Sequence, residues 1–435
     1  MKGKSNFLNF TISTARILFG LTFMFSGFVK AIDPLGFSYK IEDYIISFNF
    51  LQVAPLAFTL AVILILLEFV LGVLIFFGIY RRITSLFAFL FMAAMTPLTL
   101  YIALKNPVQD CGCFGDALII SNWDTFFKNI VLFLFSITLL IYHNRITPFY
   151  TNKFRKFVLI FVSLFCLLFS LYNTWYLSVI DFRPYKLGVN IPSTLEIDIK
   201  NGDVYEDIYV YEKDGRLKEF NNDNYPWQDS TWTFVENKTK LLEEGEKPIL
   251  EDFFIIARNK SNDEFVKTDD ITDQVLSKPL SLLIVSNYLD NMKPKHIKQI
   301  FELIDFAKNE GVSIYLVTGA DGDVIFKWDK LNGSPHISYA LMDVRTLKTI
   351  IRSNPGLVLL KEGTIIKKWS RNNIPNTSQF NDFLLQPSFG KTTKPINNTV
   401  FKLLILCAVF ILPLIGFKIY DIKHKRNLRL KQYSI

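Results

Sequence analysis

Cysteine is scarce, with four in 435 residues at positions 111, 113, 166 and 407, which excludes a small scaffold held together by disulfides. Histidine is as sparse. His143, His296, His336 and His424 lie far apart in the chain, so no set of four nitrogen and sulfur ligands for structural zinc forms along the sequence, and no metal site is expected. Charge is also low, at 20% Asp, Glu, Lys and Arg against roughly 25% in soluble domains. No glycine-rich phosphate loop follows a strand, which removes support for nucleotide chemistry. There is neither an internal repeat nor a row of polar residues lining a path through the apolar segments, which argues against a transporter.

Long apolar runs are abundant. Half of the residues are apolar and 42 are Phe, and segments near 10–31, 54–78, 83–104, 123–142, 155–177 and 399–420 each reach the length of about 20 residues that crosses a bilayer. The chain therefore reads as a polytopic α-helical membrane protein in contact with lipid. Arg16 interrupts the first run and no small-residue cleavage motif follows Lys30, so this segment is expected to remain as a membrane helix and not to be a cleaved signal peptide.

The net charge of +8 does not imply nucleic acid, because the basic residues cluster at the ends of the apolar runs. Lys2 and Lys4, Arg81 and Arg82, Arg145 to Lys156, and the tail from Lys418 to Lys431 mark every second boundary. The positive-inside rule then places both termini in the cytoplasm and residues 181–395 outside, in the periplasm if the membrane is a bacterial inner membrane.

The expected organisation has five parts. Residues 1–147 form a four-helix membrane domain, 148–180 a fifth transmembrane helix, and 181–249 an extracytoplasmic β-rich segment. Residues 250–395 form an α/β domain, and 396–435 a sixth helix with a basic cytoplasmic tail. Within 250–395 the order of the apolar run Leu282–Val285, a helical pattern over His296–Asn309, a strand Ser313–Val317, Asn354-Pro355 and a hairpin about Lys361-Glu-Gly looks like the thioredoxin fold. The stretch where thioredoxins carry Cys-x-x-Cys reads Ser286-Asn-Tyr-Leu-Asp290, so this domain has no thiols of its own for exchange.

The chemistry concentrates in Cys111-Gly-Cys113-Phe-Gly-Asp116, on a loop between the third and fourth spans. Gly112 allows the bend that brings two cysteines within disulfide reach. A ring so small is strained, and strain makes a disulfide labile. The residues alone are compatible with a redox pair, an inert disulfide or free thiols in a turn, or, less readily, a metal site. Cys166 and Cys407 fall inside spans and behave as small apolar residues. In the bilayer, Arg16 and Glu68 stand out, at depths of roughly 10 and 16 Å counted at 1.5 Å per residue. Buried charges need partners, and an Arg16–Glu68 pair is expected, either as a pin between helices or in a proton or quinone role. Lys30, at the outer end of span 1, either lowers a nearby thiol pKa or snorkels as an interfacial anchor.

These residues carry a family resemblance. Arg16-Ile-Leu-Phe-Gly20, Phe25-Ser-Gly27, Lys30, Asp33-Pro34, Glu68-Phe-Val-Leu-Gly72 and Gly78 look like the DoxX family of four-helix membrane proteins. The Cys111-Gly-Cys-Phe-Gly115 loop is similar to its MauE branch. Asp181-Phe-Arg-Pro-Tyr-Lys186 resembles the longer form in Bacteroidetes, which appends an extracytoplasmic domain. The resemblance implies redox work in the cell envelope, by thiol–disulfide exchange or quinone-linked electron transfer. Cys111 and Cys113 would be the reacting residues, with Arg16, Lys30, Glu68 and Asp116 in support and a membrane quinone as the implied acceptor. The alternative is a non-enzymatic anchor or assembly factor whose extracytoplasmic domain binds an envelope protein.

Overall fold

The computed structural model describes residues 2–108, 111–195, 204–222, 224–227, 229–243, 253–261, 264–333, 337–386 and 395–433. Its membrane part contains α1 (Lys2–Ile32), α2 (Pro34–Ser47), α3 (Ala57–Phe76), α4 (Arg81–Lys105), α5 (Asn122–Ile141) and α6 (Asn152–Trp175). Among the described residues, six helices are long and apolar enough to cross a membrane: α1, α3, α4, α5, α6 and the chain's last helix, Pro395–Tyr433.

Helices α1 and α3 pack backbone to backbone because glycines on each face the backbone of the other. A Cβ on Gly27 would stand 2.6 Å from the Phe69 nitrogen, and one on Gly72 would stand 2.5 Å from the Met24 nitrogen. Close approach of this kind takes the place of hydrophobic driving force inside a bilayer. Gly27→Ala or Gly72→Ala is therefore expected to cost about 1–3 kcal/mol, the usual range for overpacking, seen as earlier thermal unfolding in detergent. An unchanged transition for both variants would show that the helices can separate at no cost.

The connection between the first two spans contains the helix α2. The start signal is local: Pro34 occupies the first turn, and Asp33 accepts a hydrogen bond from the Gly36 amide at 2.9 Å. At the opposite end of the bundle, Arg16 donates to the Thr147 carbonyl at 3.1 Å, and Arg81 donates to the Asn144 and Ile146 carbonyls. Thr151 hydrogen-bonds Asp421 of the last helix. The 142–151 connection and the C-terminal helix thus meet at the basic end.

Beyond α6 the chain makes a short helix α7 (Ile191–Leu195) and then β1 (Val204–Lys213), β2 (Arg216–Phe220) and β3 (Thr233–Glu243), paired in the order β2-β1-β3. The following elements are β4 (Ile256–Ser261), β5 (Glu264–Asp270), α8 (Thr272–Leu276), β6 (Ser281–Ser286), α9 (Pro294–Asn309), β7 (Ser313–Thr318), α10 (Gly322–Asn332), β8 (Ser338–Leu341), α11 (Val344–Ile350), β9 (Gly356–Lys361), β10 (Thr364–Ser370), α12 (Thr377–Leu384) and the membrane helix α13 (Pro395–Tyr433).

Seven of these strands form one mixed sheet in the order β10-β9-β6-β7-β8-β4-β5, parallel at β6–β7–β8 and antiparallel at β6–β9–β10. β6 is buried along its whole length, as a strand covered on both faces must be. One face packs against α9 and α12 through Ile300, Leu303 and Phe380, and the other against α11 through Leu347 and Ile350. Glu362 and Gly363 take positive φ in the β9–β10 turn, the conformation a two-residue hairpin favours.

Residues 181–195, grouped on sequence with the β-rich segment, lie instead on the large sheet. Tyr185 and Ile191 are in its core, and Asn190 bridges Thr364. A buried cluster fastens the exit of α6 to the sheet: Arg183 is bound to Asp181, and Lys368 to Asp181 and the Ile350 carbonyl.

Candidate functional site

The bend between the two cysteines is built by one left-handed residue. Gly112 has φ +64, and a Cβ there would meet the Lys40 side chain at 3.2 Å. The Gly115 amide closes the turn on the Gly112 carbonyl. With that bend, Cys111 Sγ and Cys113 Sγ lie 2.8 Å apart as free thiols in hydrogen-bond contact. Cys111 is buried and Cys113 half-buried.

Both cysteine carbonyls are held by the helices beneath. Tyr44 of α2 donates its hydroxyl to the Cys111 carbonyl at 2.9 Å. The Ser26 hydroxyl lies 2.7 Å from the Cys113 carbonyl and 2.8 Å from Glu68 Oε2, so its one proton is shared between them. Lys30 Nζ clamps the same carboxylate at 2.7 and 2.8 Å, with both residues 5% exposed. A buried pair persists only when its charges and remaining lone pairs are satisfied, and Ser26 supplies that additional hydrogen bond.

The expected Arg16–Glu68 pair does not form. Gly27 sits beside Phe69, so Glu68 lies level with Lys30 and the dithiol loop. Arg16 lies about 21 Å from Lys30 along α1 at 1.5 Å per residue and serves the 142–151 connection. Lys30, for its part, does not snorkel to water: its ammonium turns inward to Glu68 and rests 4.6 Å from the Phe37 ring centroid.

The two thiols are unequal. The hydrogen bond from Cys111 is the largest influence on Cys113 and, with the Lys128 and Lys30 ammoniums and against burial, brings it down to about 6. Cys111 is pushed far up, first by that same hydrogen bond, then by burial and the neighbouring thiolate. The pair releases its first proton easily and holds its second tightly, as coupled sites do. In such a pair the more acidic thiol, here Cys113, is the one that ionises first.

Asp116, three residues past Cys113, connects the loop to the seven-stranded sheet. Arg352, just beyond α11, reaches Asp116 at 3.4 Å and Asp33 at 2.9 Å. Burial raises Asp116 against the pull of Arg352. At Asp33 burial acts in the same upward sense, but Arg352 and Arg183 together hold the carboxyl below its usual range. A chamber of about 50 Å³, room for one or two waters, lies among Lys30, Asp33, Gly112, Asp116, Arg183 and Arg352.

Residues 8–142 match the family of the methylamine utilisation protein MauE. The membrane domain is DoxX/MauE-like. The match ends before α6, and residues 205–244 separately match a domain of unknown function, DUF8463, which coincides with β1–β3. No curated protein and no solved structure matches the chain.

The MauE-like domain carries every site residue read from the sequence, but the structure gathers only some of them. Cys111, Cys113, Lys30 and Glu68 form one cluster, Asp116 borders it, and Arg16 is remote. Ser26, Tyr44 and Arg352 were missed. Ser26 was legible, because it precedes Lys30 by four residues and so shares its helix face. Tyr44 and Arg352 were not, since 67 and 236 residues separate them from the loop positions they touch. Among the described residues no three metal-ligating side chains gather; His336 lies outside the described residues.

The inner chamber beside the dithiol is too small for a quinone, the acceptor that the resemblance implies, and an apolar groove of about 450 Å³ lies instead along α3 and α4 toward the basic end, lined by Leu67, Leu74, Tyr80, Ile83 and Phe87.

Proposed function

We propose that the protein is a thiol–disulfide exchange protein of the cell envelope, with Cys111 and Cys113 as its reacting pair. The observation that carries this reading is the 2.8 Å approach of an acidic thiol and a retained thiol on a loop tied to a buried ion pair. The positive-inside pattern favours an inner membrane with both termini cytoplasmic and residues 181–395 periplasmic.

In the reductive direction, Cys113 thiolate attacks a sulfur of a substrate protein disulfide and the other substrate sulfur leaves as thiolate. Cys111 then loses its proton and attacks Cys113 Sγ, closing the internal disulfide and releasing the second substrate thiolate. Oxidation of a substrate dithiol is the same sequence reversed, and each direction balances its own electrons. The mixed sheet with its parallel crossovers and closing hairpin supports reading 253–386 as thioredoxin-like. Its position against the dithiol loop favours a role in holding the substrate.

Thiol trapping of the full-length protein in a glutathione series tests this. A pair that cycles reversibly, with a potential well above the ceiling of about −300 mV typical of structural bridges, is expected. Thiols that never bridge, or a bridge that resists reduction, would make the loop structural.

A further inference from the structure

An open cleft of about 970 Å³ runs between the membrane domain and the seven-stranded sheet. Tyr39, Lys40 and Asp43 of α2 form one wall, Arg345 and Lys348 of α11 the other, and residues 106–108 with Asp116 close it at the dithiol loop. Lys40 and Asp116 border both this cleft and the inner chamber, and the Lys40 stem covers Gly112 between the two cysteines. The cleft therefore leads to the reacting loop from both sides of its sequence, before Cys111 and after Cys113.

Its electrostatics are asymmetric. Four basic side chains, Lys40, Arg345, Lys348 and Arg352, line it against two acidic ones, Asp43 and Asp116. Arg352 is neutralised by Asp33 and Asp116, and Lys348 lies 3.9 Å from Glu42 while its ammonium caps the Tyr39 ring at 4.3 Å. Arg345 is exposed and its guanidinium has no acidic partner among the described residues. The α11 wall thus presents positive charge to whatever enters. The cleft is open to solvent along its course, whereas a small-molecule site encloses most of its ligand.

We infer that this cleft docks an extended, acidic polypeptide segment bearing the cysteines that exchange with Cys111–Cys113, so that the extracytoplasmic sheet supplies half of the substrate site. The inference rests on the exchange reading above and adds the substrate's class. Complementary charge acts mainly on encounter, so the preference is a rate effect that salt weakens.

The test uses oxidised full-length protein in nanodiscs and two dithiol peptides that differ only in flanking Asp and Glu or flanking Lys. Dithiothreitol serves as a check that the pair reacts at all. At low salt the acidic peptide is expected to react about tenfold faster than the basic one, with the ratio shrinking as salt rises. Arg345→Glu, at an exposed position, and the pair Arg345→Glu with Lys348→Glu are expected to bring that ratio to about one or reverse it. Equal rates for the two peptides in the unaltered protein, with dithiothreitol still reactive, would overturn the docking site and leave the exchange reading intact. Reduced glutathione reacting as fast as the acidic peptide would assign the cleft to a small acidic thiol and overturn the polypeptide. A pair inert even to dithiothreitol would overturn both readings.

Discussion

Replacing Cys113 with Ser is expected to abolish exchange and to remove the alkylation step that the unaltered protein shows near pH 6. With Cys113 brought down to about 6, the sign is fixed: the sulfur is protonated and inert below that pH and ionised above it. Between pH 5 and pH 7 its thiolate fraction climbs from about 10% to about 90%, so iodoacetamide labelling rises about tenfold. An ordinary thiol would be only about 1–3% ionised at pH 7. Greater ionisation is partly offset, because a less basic thiolate is a poorer nucleophile. A Brønsted slope of about 0.4–0.5 over three units costs roughly 16- to 30-fold, and ionisation wins by a few-fold. The larger benefit falls on the return step, in which Cys113 is the leaving group. Cys111→Ser, by contrast, should accumulate a mixed disulfide on Cys113, since no second thiol resolves it. Labelling of Cys113 that stays flat from pH 5 to pH 7 would remove the basis for calling it the nucleophile.

Breaking the Lys30–Glu68 pair from one side is expected to cost about 3–5 kcal/mol, because the remaining charge stays buried without its partner. Lys30→Met leaves the Glu68 carboxylate with Ser26 alone, and Glu68→Ala leaves the Lys30 ammonium beside the Phe37 ring. The double variant Lys30→Met with Glu68→Leu removes both charges and is expected to recover most of that stability, as apolar replacements of buried pairs often do. Thermal unfolding in detergent reads this directly. The labelling profile adds a measurement that a purely structural pin would not move: Lys30 lowers Cys113 and Glu68 raises it. Lys30→Met should therefore shift the labelling midpoint upward, Glu68→Ala downward, and the double variant little. Midpoints identical in all four proteins would reduce the pair to a fastener between α1 and α3.

Much of the site was legible because it is local. Cys111-Gly-Cys113 needs only one intervening residue able to take positive φ, and Gly112 does so. Asp33-Pro34 announces the start of α2, a helix too short to cross a bilayer. The Arg16–Glu68 expectation failed for a geometric reason. Depth counted from helix ends assumes that those ends lie level, whereas the actual register of α1 on α3 is set by Gly27 against Phe69 and Gly72 against Met24.

The sequence by itself determined that this chain crosses a membrane, since runs of about 20 apolar residues have few other stable settings. It also determined that two of the four cysteines flank a single glycine and that the α/β portion contributes no cysteine of its own. Only the tertiary structure decided that Lys30, not Arg16, neutralises Glu68, that Ser26 and Tyr44 hold the two cysteine carbonyls, and that Arg352 brings the distant sheet against Asp116. The reason is physical: helical and strand periodicity specify which face a residue occupies, but the partner across that face is chosen by backbone register and close packing between elements far apart in the chain.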